Sequence, residues 1–149
     1  MEKVVGQKDS SELGRILNRE VFLYLLDLEV KRARRYQEFF CVLIMNLCCL
    51  AKQDNGHNQQ NCLELLCNLV KEEFRDSDIL GNLSDERIAA ILPYADSSAA
   101  SVARTRFEGS LKFCDFEKAG YEVKIDQICF PADGTDIRDL IKRVANVHP

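Results

Sequence analysis

The chain has 149 residues, 46% hydrophobic and 30% charged, the balance of one globular domain able to bury a real core rather than of a disordered chain. A net charge of −4 at pH 7 lacks the basic excess that double-stranded nucleic acid demands, so no nucleic acid partner is expected. No run of about 18 apolar residues exists to make a membrane span, and the start at Met1-Glu2-Lys3-Val4-Val5 lacks the apolar core of a secretion signal.

In chain order, Met1–Ser10 is polar and reads as a tail or linker, with a single domain from residue 11 to residue 149. Asn18 is a good N-cap, and the helix predicted after it carries Val21, Phe22, Leu25, Leu26 and Leu28 as an apolar stripe. It ends at Lys31-Arg32-Ala33-Arg34-Arg35-Tyr36, where cations suit the helix dipole. Phe39–Leu50 is a continuous apolar run and predicts a buried central strand. Ala51–Asn61, with Asn55-Gly56, reads as a loop. Cys62–Phe74 reads as a second amphipathic helix through Leu63, Leu66, Leu69 or Val70, and Phe74.

Ile79–Leu83 and Ile88–Leu92 then flank the polar knuckle Ser84-Asp85-Glu86-Arg87, and Pro93 stops the second run. That is a hairpin signature, with two carboxylates and a guanidinium at its tip. Ser97 or Ser98 caps a third helix running to about Phe113, with Ala99, Val102, Ala103 and Phe107 inward. Tyr121–Phe130 alternates as a strand, with Val123, Ile125 and Gln127 on one face and Lys124, Asp126 and Ile128 on the other. Pro131 closes it, a turn follows, and Asp136 opens a last helix, Ile137–Val147.

The seven cysteines, Cys41, Cys48, Cys49, Cys62, Cys67, Cys114 and Cys129, lie mostly inside apolar runs. None forms a Cys-x-x-Cys pair, and only His57 and His148 offer imidazoles. Reduced thiols packed as small hydrophobes in a cytoplasmic protein are therefore favoured over zinc or a disulfide framework. The core order strand–helix–strand–strand–helix–strand predicts a ferredoxin-like α+β fold with extra terminal helices, a scaffold that by itself fixes no function.

The hairpin and its surroundings resemble the GGDEF (diguanylate cyclase) domain family. Ser84-Asp85-Glu86-Arg87-Ile88 stands where the family carries Gly-Gly-Asp/Glu-Glu-Phe, and Ala89-Ala90-Ile91-Leu92-Pro93 follows in register. Leu17-Asn18-Arg19 is similar to the family's Leu-x-Asn-Arg helix start. Glu29 with Arg32-Ala33-Arg34-Arg35-Tyr36 is similar to its Glu-x-x-Arg-Ala-Arg-Arg-Tyr helix end. Gly56-His57 and the Phe130-Pro131-Ala132-Asp133-Gly134 turn also have counterparts there, so the resemblance spans roughly residues 11 to 146. It implies a nucleotidyl-cyclase-like core: a mostly antiparallel sheet of about five strands, flanked by helices, in a bacterial signalling protein.

Family members condense two GTP molecules into cyclic di-GMP with bound magnesium, which needs hard oxygen ligands and glycine backbone near the phosphates. Here the pattern departs. Asn46-Leu47-Cys48 replaces Asp-x-Asp, Ser84 and Asp85 replace the glycines, Glu86 keeps an acid at the third position, and Arg87 reverses the charge of the fourth. Asn58-Gln59-Gln60-Asn61 lacks the aspartate of the guanine-reading loop, and Lys124-Ile125-Asp126 replaces Ser-Ile-Gly. The family's final Lys and Arg phosphate contacts have no counterpart before Pro149. The resemblance therefore implies a degenerate member with no catalytic residues, no metal and no cofactor.

A second family site survives in register. Arg75-Asp76-Ser77-Asp78 stands five residues before Ser84, where active cyclases carry the Arg-x-x-Asp motif of product inhibition, and Arg106 falls where a further arginine completes that pocket, with Arg104 nearby. A guanidinium fork matches guanine O6/N7 or a phosphate, and a carboxylate accepts from guanine N1–H and N2–H. The expectation is a cyclic di-GMP receptor. Its alternative is a nucleotide-independent module for homodimerisation or docking to a protein partner, in which Arg75 and Asp78 form a plain surface ion pair.

Overall fold

The computed structural model describes residues 15–50, 57–133 and 136–146. The expected tail at 1–10, the Asn55-Gly56 turn and Gly134-Thr135 lie outside those residues. The elements are β1 (Ile16–Leu17), α1 (Arg19–Tyr36), β2 (Phe40–Cys49), α2 (His57–Glu73), β3 (Ile79–Ser84), β4 (Arg87–Pro93), α3 (Ser97–Leu111), β5 (Tyr121–Phe130) and α4 (Ile137–Asn146). They form one five-stranded sheet in the order β1-β3-β4-β2-β5. Only the short β1–β3 pair is parallel; the other pairings are antiparallel. The four long strands in the order β3-β4-β2-β5 give the ferredoxin-like core expected from the sequence.

β2 is buried and interior, paired with β4 on one side and β5 on the other, as its unbroken apolar sequence predicts, although the middle strand of the five is β4. Cys41, Leu43, Met45 and Leu47 face one layer, with Leu66 and Val70 of α2 and Phe107 of α3. Phe40, Val42 and Ile44 face the other, with Phe22, Leu26 and Val30 of α1 and Leu140 and Val144 of α4. The period of two along the strand thus serves two cores at once. α1 lies very close to β3: a Cβ placed on Gly81 would fall 2.6 Å from Cβ of Phe22.

Several local expectations are corrected. Asn18 does cap α1, accepting from the Val21 N–H at 2.9 Å, but the buried stripe is Phe22, Leu26, Glu29, Val30 and Ala33. Val21 and Leu28 face solvent. α2 begins at His57 rather than Cys62, so the second half of the expected loop is helical. α3 is capped by Asp96, whose carboxylate accepts from the Ala99 N–H at 2.8 Å, not by Ser97 or Ser98. It buries Ala100 and Phe107 while Val102 is exposed. Asp136 opens α4 as expected, accepting from the Arg138 N–H at 2.9 Å.

One cysteine expectation also changes. Cys41 and Cys129 are register partners on β2 and β5, with Cα atoms 4.1 Å apart, and are joined by a disulfide. Both are buried, so they fill the core as small hydrophobes, but they are not reduced. The separation of the two residues along the chain hid the pairing; the antiparallel register creates it. No helix among the described residues is long and apolar enough to cross a membrane.

Candidate functional site

The β3–β4 hairpin places Asp85 and Glu86 at its tip. Ser84 Oγ accepts from the Glu86 N–H at 3.1 Å and steadies the turn. The Glu86 carbonyl accepts from the Leu47 N–H at 2.7 Å, tying the tip to the far end of β2. Ser84, Asp85 and Glu86 are exposed.

Asn46 lies between Arg87 on β4 and Lys124 on β5 in the sheet register. Its Oδ1 accepts from Arg87 Nε at 2.9 Å. Its Nδ2 donates to Asp126 Oδ2 at 3.1 Å and to the Lys124 carbonyl at 3.3 Å. A buried amide therefore joins a guanidinium to a carboxylate, with both of its ends used. Cys48 is half-buried, with Sγ 3.7 Å from the Asn46 carbonyl. Burial pushes its thiol up, against the pull of Lys124, and Glu122, Glu86 and Asp126 add to the rise.

The magnesium that the fold family implies does not fit these residues. The Asn46 oxygen already accepts from a cation, Asp126 is bound to the amide, and a neutral thiol is a soft, poor ligand for a hard ion. Among the described residues no group of three or more His, Cys, Asp or Glu side chains is placed to hold a metal ion. Asp126 is the member of this cluster whose role the sequence reading missed. The link rests on the strand register, which sets Asp126 diagonally across from Asn46 and which no local pattern in the sequence states.

The second candidate site lies at the opposite end of β3, about 20 Å away for a strand of this length. Asp78 Oδ2 accepts from the Arg75 N–H at 2.9 Å, and the Asp78 N–H donates to the Arg75 carbonyl at 2.9 Å, closing a tight turn after α2. Arg106 reaches across from α3, with Nη2 donating to the Glu73 carbonyl at 3.3 Å and Nε 3.7 Å from Glu73 Oε1. Ser110 donates to the other Glu73 carboxylate oxygen at 2.9 Å.

Arg15, which the sequence reading did not select, joins the same cluster. Its Nη2 donates to the carbonyls of Phe74, at 2.7 Å, and Arg75, and its Nε lies 3.9 Å from Asp76 Oδ1. Asp78 is half-buried, and burial raises its carboxyl above the usual range. The Arg75 N–H and the charges of Arg75, Arg15 and Arg106 pull the other way. The structure thus brings Arg75, Asp78 and Arg106 together. Arg104 turns aside to pair with Glu108 at 3.3 Å.

Sheet order, flanking helices and the hairpin tip tied to the end of β2 define a nucleotidyl-cyclase-like α+β domain. The family model "Diguanylate cyclase, GGDEF domain" matches residues 10–147, and the chain belongs to that family. Solved structures of similar fold include a DGC protein from Thermotoga maritima, 19% identical, with a TM-score of 0.72 over 89% of this chain and 95% of that one. Another is the diguanylate cyclase SiaD of Pseudomonas aeruginosa in complex with its activator SiaC, 16% identical, with a TM-score of 0.71 over 95% of this chain and 60% of that one. A third is the GGDEF domain of DgcB from Caulobacter crescentus in complex with c-di-GMP, 10% identical, with a TM-score of 0.61 over 87% and 78%. No curated protein matches the chain.

Proposed function

We propose that this GGDEF domain is a signalling module that does not condense GTP and instead binds cyclic di-GMP at the Arg75, Asp78 and Arg106 cluster. One observation carries the first half: the Arg87 guanidinium donates to the Asn46 oxygen where a metal-binding carboxylate would be needed. A fixed cation bonded there opposes a second, divalent one.

The receptor half rests on convergence. Arg75 is exposed at the turn, Asp78 is half-buried beside it, and Arg106 arrives from a different helix. Arg75 brings a guanidinium fork, Asp78 an acceptor and Arg106, held on Glu73, a further positive charge to a guanine edge and a phosphate. The DgcB structure, in complex with c-di-GMP, shows that this fold accommodates the ligand in a relative. Titration calorimetry with cyclic di-GMP on the parent and on Arg75→Ala tests it: heat in the parent and none in the variant is expected, and no heat in the parent refutes the receptor. Incubation with GTP and magnesium or manganese tests inactivity, and sustained formation of cyclic di-GMP refutes that.

A second reading, a protein-docking module without nucleotide, draws support from SiaD, whose structure is a complex with its activator SiaC. It predicts partner association that Arg75→Ala leaves unchanged.

A further inference from the structure

β5 ends the sheet and pairs along one side only, with β2. An antiparallel ladder turns the N–H and C=O of alternate residues toward the neighbour and those of the others away. Cys129 belongs to the outward set: its N–H donates to Asp133 Oδ2 at 2.8 Å, and its carbonyl accepts from the Asp133 N–H at 2.7 Å. Tyr121, at the other end, also points outward, its N–H donating to the Phe116 carbonyl at 2.9 Å. Val123, Ile125 and Gln127 share that parity. Among the described residues, no hydrogen bond engages their outward backbone groups. A cavity of about 600 Å³ open to solvent borders the strand at Tyr121, Glu122 and Val123. The open window is closed at Tyr121 and Cys129 and is symmetric about Ile125.

We propose that this window pairs antiparallel with the same window of a second copy of the chain, Ile125 facing the partner's Ile125. Two five-stranded sheets then become one. The backbone fits, because Val123 faces the partner's Gln127 and every pairing residue in the window brings free outward groups. A two-fold contact of this kind closes on itself and removes an exposed edge.

Charge selects the register. Centred on Ile125, exposed Lys124 faces the partner's Asp126, and exposed Asp126 faces the partner's Lys124. Both are non-hydrogen-bonded pairs, where side chains come closest. The register setting Val123 against the partner's Ile125 would put Lys124 against the partner's Lys124 and Glu122 against the partner's Asp126. The register centred on Val123 needs the Tyr121 N–H, which is already taken. The proposal does not depend on nucleotide binding.

Sedimentation velocity over a concentration series tests it, with thermal melts to confirm that each variant is folded. The parent should dimerise. Lys124→Asp and Asp126→Lys alone should each weaken the dimer roughly tenfold or more, since two attractive cross-strand pairs become repulsive. An equimolar mixture of the two should recover association, because an all-acidic window then meets an all-basic one. Val123→Pro removes one outward N–H without touching the bonds to β2, and it should also weaken the dimer; it serves as well if Asp126→Lys fails to fold. A parent that stays monomeric, or a dimer that Lys124→Asp and Val123→Pro leave unchanged, overturns the proposal.

Discussion

Arg87 donates from Nε to Asn46 Oδ1 at 2.9 Å, and the two residues are register partners on adjacent strands. The amide passes the link to Asp126 on β5, so three neighbouring strands share one polar chain at the hairpin end. Asn46 is buried, so losing its donor strands an acceptor away from water. Arg87→Met should cost about 1–3 kcal/mol, and in a domain of this size each kcal/mol lowers Tm by about 2–4 °C. Adding Asn46→Leu should cost less than the sum of the single changes, because the stranded group goes with it. Additive losses in a thermal double-mutant cycle would show that the two side chains are not coupled.

Gly81 sets the distance between α1 and the sheet. An added methyl would lie 2.3–2.6 Å from ring and Cβ atoms of Phe22, and Cβ cannot swing aside as a side-chain tip can. Gly81→Ala should therefore force α1 outward and cost about 1–3 kcal/mol by overpacking. Gly81→Ala combined with Phe22→Ala should be less unstable than the sum of the two, by urea midpoint. An unchanged Tm for Gly81→Ala would show that the helix shifts freely.

The alternation of β5, the apolar run of β2 and the Asn18 cap were all readable because each is a local pattern with one physical meaning. So was the hairpin, where β-formers flank a polar knuckle. The buried stripe of α1 was not. Val21 and Leu28 are apolar, yet the face against the sheet includes Glu29, kept there by its ion pair with Arg32, whose cation also lies over the Tyr94 ring. Asp96 beat Ser97 and Ser98 as a cap because the choice among adjacent cap formers depends on where the backbone enters the helix. The Asn46–Asp126 link and the Cys41–Cys129 bond belong to strand register, which the sequence does not state until the sheet order is known.

The Cys41–Cys129 bond predicts a thiol count. Seven cysteines less the two in the disulfide leave five outside any disulfide, Cys48, Cys49, Cys62, Cys67 and Cys114. Alkylation of the unfolded, unreduced chain should add five labels by mass, and seven after reduction. The bond closes a loop over a sequence separation of 88, so reduction should lower stability by about 2–5 kcal/mol. Seven labels without reductant would show that the pair is not bonded in the isolated protein.

Asp78 ties the proposed receptor site to pH in two opposite ways. Burial raises its carboxyl in the folded chain, so the folded state holds the proton more tightly than the unfolded state does. Its contribution to stability is then fully present below the usual carboxylate range and is lost as pH rises through the raised value. In Asp78→Asn that dependence should vanish, so the variant gains on the parent in urea midpoint as pH increases from about 4 to about 7. Ligand affinity should move the other way in the parent. In the proposed site an ionised Asp78 can accept from both guanine N–H groups, whereas a protonated one keeps a single good acceptor, so cyclic di-GMP binding should strengthen over the same interval. In Asp78→Asn both slopes should flatten, with weak binding throughout. Affinity that falls with rising pH in the parent would mean that Asp78 does not accept from the ligand, and would leave the site to its guanidinium groups alone.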